Sequence, residues 1–359
     1  MLLRFAIMVV LSWAYFTAVA GACQICAPYP KTTLADRLLQ SKTLVMARER
    51  NDKAYTFYPV DILKGSIDAD DFNAFIDATS RRMLLQQPKD VVVLRREDIE
   101  SDWQYVAYAD LDYQKFIRSI LGQSAQWLKV RGDRDRIDFF AERLNHADQK
   151  IREQAYLEVG RAPYASIKRI AGSVPRQQIR GFLDQWRLIE WHSLYILMLG
   201  QSRHPDDLSY IRKQLESAAR LGSKTNLSAW VTAFIETNPI TGVEEIENLY
   251  FSNKNRKPNE LREVGIGLSV LGSEVSYRVS LELVDRRHRI VHSYGTLLEN
   301  HPMMAGLVAK DLTVWQIRAY EKRLTQIREN ASALDPDTKM AITHYLSVSR
   351  RFPRIKTSQ

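Results

Sequence analysis

Ala54-Tyr55-Thr56-Phe57-Tyr58-Pro59-Val60-Asp61-Ile62-Leu63, followed by Lys64-Gly65, decides the fold of the first part of the chain. Its residues alternate as on a half-buried strand, and Lys64-Gly65 supplies a turn. Pro59 has no N–H to give a ladder and confines the strand to an edge or a bulge. Upstream, Thr43-Leu44-Val45-Met46-Ala47 is β-prone. Before it, Thr33 to Gln40 places Leu34, Leu38 and Leu39 on one side of a short helix capped by Thr32 or Thr33. Downstream, Asn73 to Ile76, Arg82 to Leu85, Asp90 to Leu94 and Trp103 to Tyr108 are further candidate strands. Five or six short strands with one helix predict a small barrel-like module over residues 23–128. Tyr113, Phe116, Ile117, Ile120, Leu121 and Leu128 close it at helical spacing.

Over residues 129–352 strand signals nearly vanish, and amphipathic segments recur between Gly, Pro, Asn or Asp. Asp138 to Leu144, a turn at Asn145-His146-Ala147-Asp148, then Ile151, Arg152, Ala155, Tyr156 and Val159 form the clearest helix pair. Leu194 to Leu199, Leu208 to Leu221, Leu227 to Thr237, Val243 to Phe251, Leu261 to Leu271, Val275 to Val284 and Ile290 to Leu298 repeat the periodicity. One longer helix is predicted from Asp311 to Ile327 and another from Asp337 to Ser349, before a basic tail at 353–359. The fold class is multidomain α+β: a small β-barrel-like module followed by an all-α helical array.

The pair Cys23 and Cys26, the short helix, the strand Leu44-Val45-Met46-Ala47-Arg48 and the Val60-x-x-Leu63-Lys64-Gly65 turn together resemble the netrin-like, OB-type modules of exported proteins. Tissue inhibitors of metalloproteinases share that fold and chelate a protease zinc through an N-terminal cysteine, whose counterpart here is Cys23. Those inhibitors tie that cysteine to a distant one, whereas this chain has two cysteines, both at its front. OB-type barrels also bind ligands on exposed aromatic faces. Tyr55, Phe57, Trp103, Tyr105 and Tyr108 are the candidates, set against the plainer reading of core and cross-strand packing. The helix pair around residue 145 resembles a HEAT-type repeat. That resemblance makes Asp148 the helix cap and Arg152 the residue that reaches back to neighbouring turns.

Arg4, the uncharged apolar run from Phe5 to Val19 and the trio Ala20-Gly21-Ala22 read as a cleavable export signal over 1–22. This places the mature chain in the periplasm or outside the cell. Small residues before Cys23 also fit a lipobox, which makes Cys23 either a lipid anchor or one half of a local disulfide with Cys26. Ala27-Pro28-Tyr29-Pro30 cannot begin the helix that a redox C-x-x-C needs, and the His that follows a haem-attachment pair is absent. No later stretch has membrane-spanning length.

The formal net charge is +9 over 359 residues. For an exported chain this suits a protein partner or an anionic envelope surface and argues against nucleic acid. H-E-x-x-H, G-x-S-x-G, Walker and G-x-G-x-x-G signatures are absent, so no catalytic residue is assigned and no cofactor is implied. His288 and His292 stand one helical turn apart near Asp285, a ligand-capable spacing. Arg286, Arg287 and Arg289 surround them and oppose a dication. The reading that follows is a binding or scaffold protein acting through a helical surface. Its alternative is a protease inhibitor or thiol-active protein working through Cys23.

Overall fold

The computed structural model describes residues 25, 32–67, 69–98, 100–127, 129, 132–274, 281–330 and 334–354. The expected export signal, Cys23 and Cys26 lie outside the described residues. The fold is mixed α+β, a curled five-stranded antiparallel sheet with many helices. It falls into two compact units, Pro28–Gly160 with Ile170–Gly181, and Arg161–Arg169 with Phe182–Gln359.

The first unit opens with α1 (Leu34–Gln40), fixed by a capping box in which Thr33 and Asp36 exchange side-chain-to-backbone hydrogen bonds of 3.2 and 3.1 Å. Strands β1 (Thr43–Glu49), β2 (Thr56–Lys64), β3 (Phe72–Asn73), β4 (Val91–Arg96) and β5 (Gln104–Ala109) pair in the order β3-β2-β1-β4-β5. β1 is central, and Leu44, Val45, Met46 and Ala47 are all buried because both of its faces are covered. Register shifts interrupt the β1–β2 and β4–β5 ladders, and such bulges increase local twist. The sheet curls until Ala74, just past β3, forms a parallel bridge with Trp103, just before β5. Phe72 stacks on Trp103 there with ring centroids 4.4 Å apart.

Within the curl lie Val45, Ala47, Phe57, Ile76, Leu84, Val92, Leu94 and Tyr108, with Trp103 and Tyr105 packed against them. Four of the five candidate platform aromatics are therefore packing residues. Tyr55 is not. The expected strand Arg82 to Leu85 is instead part of α2 (Ala78–Gln86). Asp77 caps that helix by accepting the Ser80 N–H at 2.9 Å, and the short apolar run Met83-Leu84 fits one helical turn as well as a strand.

Helices α3 (Leu111–Trp127), α4 (Gly132–Ala141) and α5 (Gln149–Gly160) complete the layer. Phe116 of α3 meets Phe140 of α4 edge-on, 6.2 Å between centroids. Arg136 of α4 holds α1 and α5 together through Asp36 at 2.7 Å and Glu158 at 2.9 Å.

α6 (Tyr164–Ile170) falls almost wholly in the second unit, whereas α7 (Arg176–Leu183) belongs mostly to the first; the second unit continues with α8 (His192–Leu199), α9 (Pro205–Leu221), α10 (Leu227–Thr237) and α11 (Gly242–Ile246). After them come α12 (Pro258–Gly272), α13 (Leu281–Asn300), α14 (Ala305–Val314), α15 (Glu321–Asn330) and α16 (Pro336–Val348). α10 is buried from Leu227 to Glu236 and packs on α8, α9 and α12. Gly267 permits the α10–α12 approach, since a Cβ there would sit 2.8 Å from the Ser228 carbonyl oxygen. Glu247-Asn248-Leu249-Tyr250-Phe251 continues α11 as a π-helical turn that buries Tyr250 and Phe251.

Two sequence expectations change here. Leu281 to Asn300 is one helix, where two segments were expected. The helix expected from Asp311 to Ile327 is broken after Val314, and Gln316 and Tyr320 take left-handed backbone at φ 55° and 56°. Trp315 causes the break: its indole fills the space beside Gly272, stacks on Tyr294 at 5.9 Å and donates to Ser273 at 2.9 Å.

Replacing Arg136 with Met removes both of its ion pairs, to Asp36 of α1 and to Glu158 of α5, at a site where all three side chains are largely out of water. Urea denaturation should then show a loss of about 3 kcal/mol from the first unit.

Candidate functional site

Helices α12, α14 and α16 border a groove of about 950 Å³ in the second unit. α12 and the Ser273 that caps its end contribute Arg262, Ile266, Ser269 and Ser273, a single helical stripe at steps of four, three and four. The segment 303–314 contributes Met303, Leu307, Lys310 and Val314 at the same steps. α16 adds Asp337, Met340 and His344, at steps of three and four. Pro258 and Pro336 begin α12 and α16, and Asp335 caps α16 through the Thr338 N–H at 2.9 Å. Gly306 admits Thr338 closely, since a Cβ there would meet its Oγ at 2.6 Å, and this draws α14 and α16 together.

The rim is apolar and open: Met303, Val314 and Met340 are 54, 69 and 67% exposed. Asp311 on α14 also lines the groove and is buried. Its carboxylate accepts the Ser269 hydroxyl of α12 at 2.7 Å and the Tyr294 hydroxyl of α13 at 2.5 Å. Burial pushes its pKa up to about 7, against the two hydroxyl donors, which lower it. Burial and the neighbouring Asp311 also push the Tyr294 phenol up. One carboxyl group thus ties three helices beneath the groove.

The residues singled out in the sequence lie elsewhere. Asp148 Oδ1 accepts the N–H groups of Lys150 and Ile151 at 2.7 and 3.3 Å. Arg152 donates to the carbonyls of His146 and Ala147 at 2.6 and 2.7 Å. His288 and His292 stand half-buried on α13. Among the described residues no group of three His, Cys, Asp or Glu side chains is placed to hold a metal. The arginines around the pair are engaged structurally: Arg286 bonds Glu236 at 2.9 Å and Arg289 bonds Glu247 at 2.6 Å. His146 and His204 each accept a nearby backbone N–H, at 3.1 and 3.3 Å. His192 bonds the Phe182 and Gln185 carbonyls, and burial lowers its pKa.

Sequence reasoning named no groove residue as functional. The signal was present in the stripe Arg262-Ile266-Ser269-Ser273, whose small polar members do not belong to a core face. Among the described residues no helix is long and apolar enough to cross a membrane. No protein-family model, curated protein or solved structure matches the chain.

Because the folded Asp311 holds its proton to about pH 7 while an unfolded Asp loses it near pH 4, its contribution to stability is complete below that lower value. It falls as pH rises between the two. Asp311→Asn has no proton to lose. Its melting temperature relative to the parent should climb from about pH 4 to 7 and level off above.

Proposed function

We propose that the protein is an exported binding protein whose helical unit receives an amphipathic helix of a protein partner. The reading rests on the three stripes of α12, α14 and α16, each spaced as a helix face that ordinarily meets another helix, bordering an open groove. Methionines suit such a surface, because an unbranched, polarizable side chain adapts to the contour of its partner. Arg262, Lys310 and His344 on one hand and Asp335 and Asp337 on the other supply charges of both signs for orienting it. Export accords with the leader-like residues 1–22, and the basic balance with an acidic partner or envelope surface.

The finer fold assignments belong to the same reading. The sheet order, the parallel bridge of Ala74 with Trp103 and the placement of α2 between β3 and β4 favour an OB-like, netrin-like barrel. Successive packed helices favour a HEAT-like array for the second unit.

A photo-crosslinking residue at Met340 should give a discrete adduct with a partner in the native envelope, and one at the remote, fully exposed Ile240 should not. Val314→Asp should reduce the Met340 adduct about tenfold, equivalent to about 1.4 kcal/mol, with the melting temperature unchanged. Equal adducts from both positions, or an adduct indifferent to Val314→Asp, would overturn the reading.

A further inference from the structure

Two segments of the second unit, 318–323 and 349–354, are bound side by side although α15 and α16 separate them in the chain. The Arg318 N–H donates to the Pro353 carbonyl at 2.9 Å, and Arg318 and Arg354 form a parallel bridge. Ser349 opens a 3₁₀ turn, Ser349–Arg351, and donates its hydroxyl to Glu321 of α15 at 2.9 Å. From α16 the Tyr345 hydroxyl accepts the Ala319 N–H at 2.9 Å. The stretch that leaves α16 is thus fastened to the start of α15.

What is fastened together is charge of one sign. The two segments hold Arg318, Lys322, Arg323, Arg350, Arg351 and Arg354 against Glu321, six cations to one carboxylate, so +5 of the chain's net +9 lies in twelve residues. Glu321 is already engaged, by Arg318 at 2.7 Å and by Ser349. Arg323 donates to the Leu298 carbonyl at 3.2 Å. Lys322, Arg350, Arg351 and Arg354 are exposed, and among the described residues none of them is in an ion pair. Drawing like charges together is unfavourable, and the fold offers these four no counter-ion of its own. An anion outside the chain is what the arrangement lacks.

We propose that Lys322, Arg350, Arg351 and Arg354 form a contact surface for an anionic phospholipid membrane. The proposal rests on the export reading above for its setting, gives the envelope surface named there a definite place, and does not involve the groove. The charge fixes the sign of the partner, and what surrounds the charge narrows its kind. No exposed large apolar side chain lies in either segment, whereas a protein interface is built round an apolar core depleted of charge. Single-stranded nucleic acid is held by rings that stack on its bases, and the two aromatics present, Tyr320 and Phe352, are both half-buried. The cations come from a helix start, a 3₁₀ turn and a bridge, with no repeat to match the fixed phosphate spacing of a duplex. Lipid head groups diffuse laterally and gather under cations in any arrangement, and a guanidinium takes a phosphate bidentately.

Sedimentation of the full chain with phosphatidylglycerol-containing vesicles and with pure phosphatidylcholine vesicles tests the surface. A leader or an acyl group would hold the chain to both alike, so the ratio of the two partition coefficients is what is read. Each cation at an anionic membrane adds about fivefold, so Arg350→Gln, Arg351→Gln and Arg354→Gln together should lower the ratio about a hundredfold, with the melting temperature unchanged. If the triple variant melts early, the three single variants, each expected to lose about fivefold, decide in its place. Arg82→Gln, Lys224→Gln and Lys254→Gln together remove as much charge from other exposed positions and should lower the ratio less than about threefold. The assignment is overturned if the chain shows no preference for the anionic vesicles, or if the two triple variants lose it equally. It is equally overturned if the parent binds oligothymidylate or polyglutamate more tightly than those vesicles through the same arginines. The assay contains no protein partner and no exporting cell, so it can fail while the groove and export stand, and the reverse.

Discussion

Asp311 accepts one hydroxyl from α12 and another from α13 while itself belonging to α14, so three helices converge on a carboxyl group nearly removed from water. A carboxylate in that position is costly, and the two hydroxyl contacts offset only part of the cost, so the group keeps its proton to about pH 7. Their geometry fixes the relative height of the three helices, much as a polar residue fixes register in an apolar seam. The groove above inherits its walls from this arrangement. Gly306, Gly272 and Trp315 act within the same frame, since each requires the helices to lie where the Asp311 bonds put them.

The first unit meets a different constraint. A five-stranded sheet of short strands has two edges, and an exposed edge invites pairing with other chains. The curl brings the outer strands close enough for Ala74 and Trp103 to bridge, with Phe72 on Trp103 sealing the join. Bulges beside Met46 and Val93 supply the twist that permits it. Because β3 is two residues long, one side of β2 beyond Phe57 has no ladder partner among the described residues, and Pro59 lies in that stretch. A residue without an N–H is well placed on an edge that would otherwise solicit a neighbour.

Much of the architecture was legible because single-residue patterns carry it. The alternation from Thr56 to Lys64 and the apolar spacing from Leu227 to Thr237 reflect burial on one side or all round, and both elements form where expected. The misreadings share a cause. Met83-Leu84-Leu85 is too short an apolar run to distinguish helix from strand without knowing that Asp77 caps it. The break after Val314 carries neither glycine nor proline, because it comes from Trp315 seeking Tyr294 and Gly272 at a distance in sequence. The groove was invisible for a related reason. Met303, Val314 and Met340 look like core residues until the packing of their helices leaves them outside, and no motif announces such a remainder.

The boundary between the two units does not follow the chain. Ile170–Gly181 belongs with Pro28–Gly160, and the nine residues between them, Arg161–Arg169, belong with Phe182–Gln359. Neither unit is one continuous length. A ribosome that has released the whole sheet and its helices has still not delivered the last part of the first unit, which waits until residues of the second have already emerged. Contacts that close late are long-range ones, and the first unit must stay incomplete over that interval. Gene truncation at any single point therefore severs one unit in removing the other. Separating the two units requires cutting the chain at more than one place.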